Sequence, residues 1–116
     1  MSEVRQKRLE SQIREHIAAL IHRQTIKDPR VQALSVVTEV AASRDLKNCR
    51  VYISYYGEPE LRRQCVEALN HAAGFIQREL GAHLRVRFVP RLSFVEDSSI
   101  EQGFRIAQKL REISPE

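Results

Sequence analysis

The sequence predicts a two-layer α+β domain in which one three-stranded sheet carries helices on a single face. Three observations support that expectation. Apolar residues recur at helical spacing over about 3–24 and 60–80, and at every second residue over 49–56. A short polar turn at 43–48 separates the first two extended stretches, which demands an antiparallel hairpin. The third extended stretch follows a helix, so it returns by a crossover and is free to lie parallel to the second. The expected order is α-β-β-α-kink-α-β-α, in one domain covering 1–116.

The first helix, about Glu3 to Gln24, carries Leu9, Ile13, Ile17, Leu20 and Ile21 on one stripe. Arg5, Arg8, Gln12, His16 and Arg23 fall on its flank. Lys27-Asp28-Pro29-Arg30 is expected to end it, because proline biases the residue before it away from helix. The first strand is Leu34 to Ala42. The second, Cys49 to Tyr56, puts Cys49, Val51, Ile53 and Tyr55 on one face and Arg50, Tyr52, Ser54 and Tyr56 on the other. Pro59 suits a first helical position, and Glu60 to Leu80 is amphipathic. In its middle lies Ala72-Ala73-Gly74, where an interior glycine costs about 1 kcal/mol relative to alanine, so a kink is expected. Gly81 reads as a C-terminal cap. The third strand, Leu84 to Phe94, alternates apolar Leu84, Val86, Phe88, Leu92 and Phe94 with Arg85, Arg87 and Arg91. Pro90 within it marks an edge strand. Ser98 and Ser99 open a capping box for a last helix over about Ile100 to Ile113, burying Phe104, Ala107 and Leu110.

A chain of 116 residues buries roughly 65% of its unfolded surface, enough for one core. No apolar run approaches the ~20 residues of a membrane helix, and Met1 to Arg5 lacks the apolar run of a secretory leader. Cys49 and Cys65 lack C-x-x-C spacing and read as small core residues. The four histidines show no metal-ligand pairing. Positive charge exceeds negative by four and is uneven. Residues 1–30 hold seven basic against four acidic residues, and 61–91 hold six against two. Most of the basic residues are arginine, the side chain suited to phosphate, so a polyanion is the expected partner. Asp28, Asp45 and Asp97 sit in turns, where Asp makes local hydrogen bonds. Without a phosphate-binding glycine loop or a nucleophile–base spacing, the chain reads as a binding module and not an enzyme.

Several segments together resemble bacterial ribosome-binding factor A. They are Ile26-Lys27-Asp28-Pro29-Arg30-Val31, Arg44-Asp45-Leu46 before Arg50-Val51-Tyr52-Ile53-Ser54, the run 72–80, and the run 84–94. Asp97-Ser98-Ser99 and Gly103-Phe104-Arg105-Ile106 are similar to that family's last element. The resemblance implies a type II KH-like fold with a helix-kink-helix marked Ala-x-Gly, here Ala72-Ala73-Gly74, in place of the usual Gly-x-x-Gly loop. It also implies a cytoplasmic assembly factor with a link to cold adaptation. Such a factor binds the free small (30S) ribosomal subunit and its 16S rRNA and assists late maturation and rRNA processing.

The expected RNA-binding set combines both readings. Arg5 and Arg8 come from the helix flank, and Lys27 and Arg30 from either side of Asp28-Pro29. Asn70, His71, Gln77 and Arg78 lie around the kink formed by Ala72 and Gly74, while Arg85, Arg87 and Arg91 form one strand face. Tyr52 and Tyr56 are placed to stack on bases. For each of these, a solvated surface stays open as the other reading. No cofactor, metal, membrane or small-molecule substrate is expected, and the chain is read as a monomer. The competing function is a protein-interaction adaptor on assembling subunits, with RNA contact incidental.

Overall fold

Leu9, Ile13, Ile17 and Ile21 stand four residues apart, so a helix lines them up, and all four are buried along α1 (Ser2–His22). The computed structural model describes residues 2–55 and 57–97. α1 ends at His22, two residues short of the expected Gln24 and seven before Pro29. Gln24 takes the left-handed conformation at φ 55°, which brings Thr25 N–H to the Leu20 carbonyl and Gln24 N–H to that of Ile21. The helix therefore closes on a Schellman turn made with glutamine, not on the proline.

β1 (Val36–Ala42) and β2 (Asn48–Ser54) form the expected antiparallel hairpin, each strand shorter than its apolar pattern. Thr38 is an extra residue, because Val37 faces Ile53 and Glu39 already faces Tyr52. In the turn, Asp45 accepts from the Ser43 hydroxyl and the Lys47 N–H, and Leu46 is left-handed at φ 61°. β3 (Arg91–Glu96) lies parallel to β2, giving the order β1-β2-β3 with β2 central, as expected.

The third strand begins seven residues later than its alternation suggested. Arg91 faces Asn48, the first residue of β2, and its N–H already donates to Lys47 in the turn. Residues 84–90 thus extend past the end of β2, with no strand among the described residues beside them to pair with. Pro90, which has no N–H, stands buried just before the ladder begins.

The second helical stretch divides into α2 (Pro59–His71) and α3 (Ala73–His83). Ala72 belongs to both: its N–H donates to Ala68 O, and its own carbonyl accepts from Ile76 N–H. The bend is therefore at Ala72, at φ −88° and ψ 4°. Gly74 does not use left-handed freedom, and a Cβ there would meet only the Arg78 guanidinium at 4.0 Å. Gly81 does not cap α3, which runs on to His83. Its missing side chain matters for packing instead, since a Cβ would stand 3.2 Å from Val89 Cγ2.

The three helices described pack on one face of the sheet. Cys49, Val51 and Ile53 of β2, with Leu92 and Phe94 of β3, meet Ile13 and Ile17 of α1, Leu69 of α2, and Ile76 and Leu80 of α3. Cys65 is buried with its Sγ 3.3 Å from the Ser35 hydroxyl. Burial, with the charge of Glu10 nearby, pushes the Cys49 thiol up to about 12, so it stays protonated and inert. The expected last helix, its capping serines and Tyr56 lie outside the described residues.

Side chains complete both rims of the sheet. Arg91 and Asp97 direct their N–H groups at β2, so Leu92 and Phe94 turn theirs outward. Phe94 N–H donates to Asn70 Oδ1 (2.8 Å), and its carbonyl accepts from Asn70 Nδ2 (3.0 Å). Leu92 N–H donates to Gln77 Oε1 at 3.0 Å. On the opposite rim, Ala42 N–H donates to Glu10 Oε2 and its carbonyl accepts from Gln6 Nε2.

Candidate nucleic-acid interface

The apolar stripe of α1 faces the sheet, which turns Arg5 and Arg8 toward the hairpin turn and the segment leading into β3. Because 85–88 is not held in a ladder, it lies opposite them. Together these three pieces enclose a groove of about 1080 Å³. Arg5, Arg8 and Gln12 form one wall, Asp45 to Lys47 close one end, and Arg85 to Phe88 form the other wall. Leu9, Leu46 and Val86 provide apolar surface within it.

The charge in the groove is one-sided. Arg5, Arg8, Lys47, Arg85 and Arg87 border it, and none of them makes a salt bridge among the described residues, the charge of Lys47 acting on Asp45 without one. Asp45 is the acid present, and the Ser43 and Lys47 hydrogen bonds hold its carboxyl below the usual range. Five cations beside one another repel, and a polyanion relieves that repulsion. Phe88 is 75% exposed, with the Arg87 guanidinium carbon 5.7 Å from its ring centroid. One turn beyond Gln12, His16 of α1 stacks on His83 at the end of α3, ring centroids 5.6 Å apart.

The helix junction is a second basic region, built differently. A cleft of about 440 Å³ lies between Thr25–Pro29 and Ala72 and Phe75. Arg30 grips Asp28 there, donating from Nε at 3.1 Å, from Nη2 at 2.9 Å and from its backbone N–H at 2.9 Å. Its Nη2 also donates to His71 Nδ1 at 3.3 Å. The Arg30 side-chain bonds, then its backbone bond, hold the Asp28 carboxyl down at about 2. Arg30 is thereby neutralised in place. Lys27 and Arg78 are exposed and carry no ion pair among the described residues.

The residues singled out from sequence therefore separate into groups. Arg5, Arg8, Arg85 and Arg87 come together in the groove. Lys27, Arg30, His71 and Arg78 surround the junction. Arg85, Arg87 and Arg91 do not share a strand face, because only Arg91 is in β3. It stands near Arg50, lining a separate hollow at the end of the sheet. Asn70 and Gln77 turn to the backbone of β3 and not outward beside His71 and Arg78. Phe88, expected on the buried side of a strand, is exposed. Tyr52 is half-buried, and its hydroxyl accepts from Arg50 Nη1 at 3.4 Å. Sequence reasoning missed Leu46, Lys47 and Phe88 as groove residues. The Asp45–Lys47 turn offered a signal in its polar composition, but nothing local places it opposite α1.

Comparison with known proteins bears on the whole chain. The family model for ribosome-binding factor A matches residues 5–110. Ribosome-binding factor A of Dictyoglomus thermophilum is 46% identical over 112 residues, covering 97% of this chain and 92% of the relative. A Thermotoga maritima protein solved by NMR as a candidate ribosome-binding factor A superposes with TM-score 0.69 at 35% identity, covering 84% of this chain and 91% of the other. A homology model of the Thermus thermophilus ribosome-binding factor A, fitted into a cryo-EM map of its 30S complex, gives TM-score 0.64 at 31% identity, covering 78% of this chain and 93% of the other.

Proposed function

The chain belongs to the ribosome-binding factor A family, and from that premise we propose that it is an assembly factor for the small ribosomal subunit. It binds the free 30S particle through 16S rRNA and assists late maturation and rRNA processing. It acts in the cytoplasm, as a monomer and without catalysing a reaction. The observation that carries this reading is the groove, where five cations that make no salt bridge among the described residues border one cleft. A surface of that kind suits a phosphate backbone, and the 30S complex of the Thermus thermophilus relative supports the choice of particle. Lys27, Arg78 and the Ala72–Gly74 bend form a second, weaker contact, with Asn70 and Gln77 positioning α2 and α3 against β3.

Co-sedimentation of the protein with free small subunits, large subunits and whole ribosomes tests the proposal. Pelleting with free small subunits is expected, and weakening when Arg5, Arg8, Arg85 and Arg87 are all changed to Gln. Failure of the unaltered protein to pellet with small subunits overturns it. Undiminished pelleting of the altered protein removes the groove from the interface.

A further inference from the structure

We propose that the groove between α1 and the segment 85–88 receives an unpaired nucleotide, its base stacked on Phe88 and the flanking phosphates held by Arg5, Arg8 and Arg85. This rests on the small-subunit reading and deepens it by stating the form of RNA that the groove takes. A groove that only neutralised phosphates would need no ring at its mouth. Yet Phe88 alone is exposed among the described Phe and Tyr residues, and it stands in the wall that carries the charge. Arg87 lies over its ring, so a flat cation and an aromatic surface are presented together. Both are planar groups on which any nucleobase stacks, whatever its sequence.

The form of the RNA follows from the form of the site. In a duplex each base is covered above and below by its neighbours and has no free face for Phe88. A strand whose base has left the stack has one, and its backbone still carries the charge that the arginines match. The apolar surface of Val86 beside the ring suits the same base. The groove volume of about 1080 Å³ is at the upper end of ligand pockets, so a short stretch of strand enters it. An acidic protein segment would satisfy the arginines but leave the exposed ring unexplained.

The test compares short labelled RNAs by fluorescence anisotropy: one single strand, the same strand in a duplex, and the same strand with an abasic site. The single strand is expected to bind best, and Phe88→Ala to weaken it about 5- to 150-fold, the range of one base–aromatic stack. Phe88→Ala leaves the salt dependence unchanged, and Phe88→Tyr restores affinity. Equal binding of duplex and single strand, or an affinity that Phe88→Ala does not change, overturns the inference. A photo-crosslinking amino acid at position 88, irradiated on small subunits, provides a second readout. An adduct to RNA supports the inference, and one to a ribosomal protein overturns it. Small-subunit pelleting of the unaltered protein separates this failure from failure of the wider reading.

Discussion

The groove and the helix junction hold similar residues in opposite states. At the junction Arg30 is gripped by Asp28, while Asn70 and Gln77 are bonded to the rim of β3. In the groove, Arg5, Arg8, Lys47, Arg85 and Arg87 make no salt bridge among the described residues, and Phe88 is exposed. A count of positive charges treats the two regions alike. Pairing separates them: the junction commits much of its polar chemistry to holding the fold, and the groove leaves its own available to a partner.

The strongest way to break this contrast is to remove the groove cations together. Changing Arg5, Arg8, Arg85 and Arg87 to Gln is expected to weaken rRNA binding at least tenfold. The slope of log affinity against log salt should flatten by roughly 0.7 to 0.9 for each phosphate that the protein ceases to neutralise. Arg30→Gln, whose charge is already matched, is expected to leave that slope nearly unchanged. Equal slopes for the two variants would erase the distinction.

The junction should respond in stability and not in salt dependence. Asn70→Ala leaves the Phe94 N–H and carbonyl without their partner at the rim, and a loss of about 1–3 kcal/mol is expected in denaturant unfolding. Arg78→Ala, an exposed change on the neighbouring helix, is expected to stay within about 0.5 kcal/mol. If the two variants unfold alike, the Asn70 contact with β3 is not holding the rim.

Gly74→Ala sharpens the comparison at smaller scale. Its Cβ would make only an ordinary contact with the Arg78 guanidinium and its backbone is not left-handed, so the variant should be more stable by up to about 1 kcal/mol. A lower melting temperature would show that the bend needs glycine after all. Higher stability with weaker subunit pelleting would show that a partner approaches the bend closely.

The smallest effect is electrostatic. Asp28 is depressed to about 2 in the folded protein, below the ~3.9 of an unfolded chain. Its contribution is therefore present above about pH 4 and is lost as the pH falls toward 2. Melting curves of the protein and of Asp28→Asn should converge across that window. Curves that stay parallel would mean that the Arg30 pair adds nothing to the fold.

Much of this architecture was legible where periodicity was local. The Leu9–Ile21 stripe and the alternation of β2 are properties of neighbouring residues, and they placed the helices, the hairpin and the strand order. The start of β3 was not legible, because it depends on where β2 begins: Arg91 pairs with Asn48, and no pattern within 84–94 encodes that. Phe88 was misplaced for the same reason, since its alternation is genuine but has no sheet beside it. The end of α1 was legible to within two residues, but what closes it was not, because glutamine is not the residue expected at a left-handed cap. The cations of the site could be named from composition. Which of them stand together depends on a turn and a strand lead-in brought beside α1 by tertiary packing. Asn70 and Gln77 resembled surface contacts because an amide aimed at backbone and one aimed at a ligand are identical in sequence.

The side chains along the two rims also limit how this protein meets other chains. A three-stranded sheet ends in two open templates, each able to recruit an extended segment and keep growing. Here the amides of Asn70 and Gln77 occupy one template, and Gln6 and Glu10 close one end of the other. Thr38 adds a bulge to the strand on that second side, which spoils its register for an incoming strand. A sheet finished in this way offers an extended segment of another chain little purchase, so it stays at three strands instead of growing by strand capture.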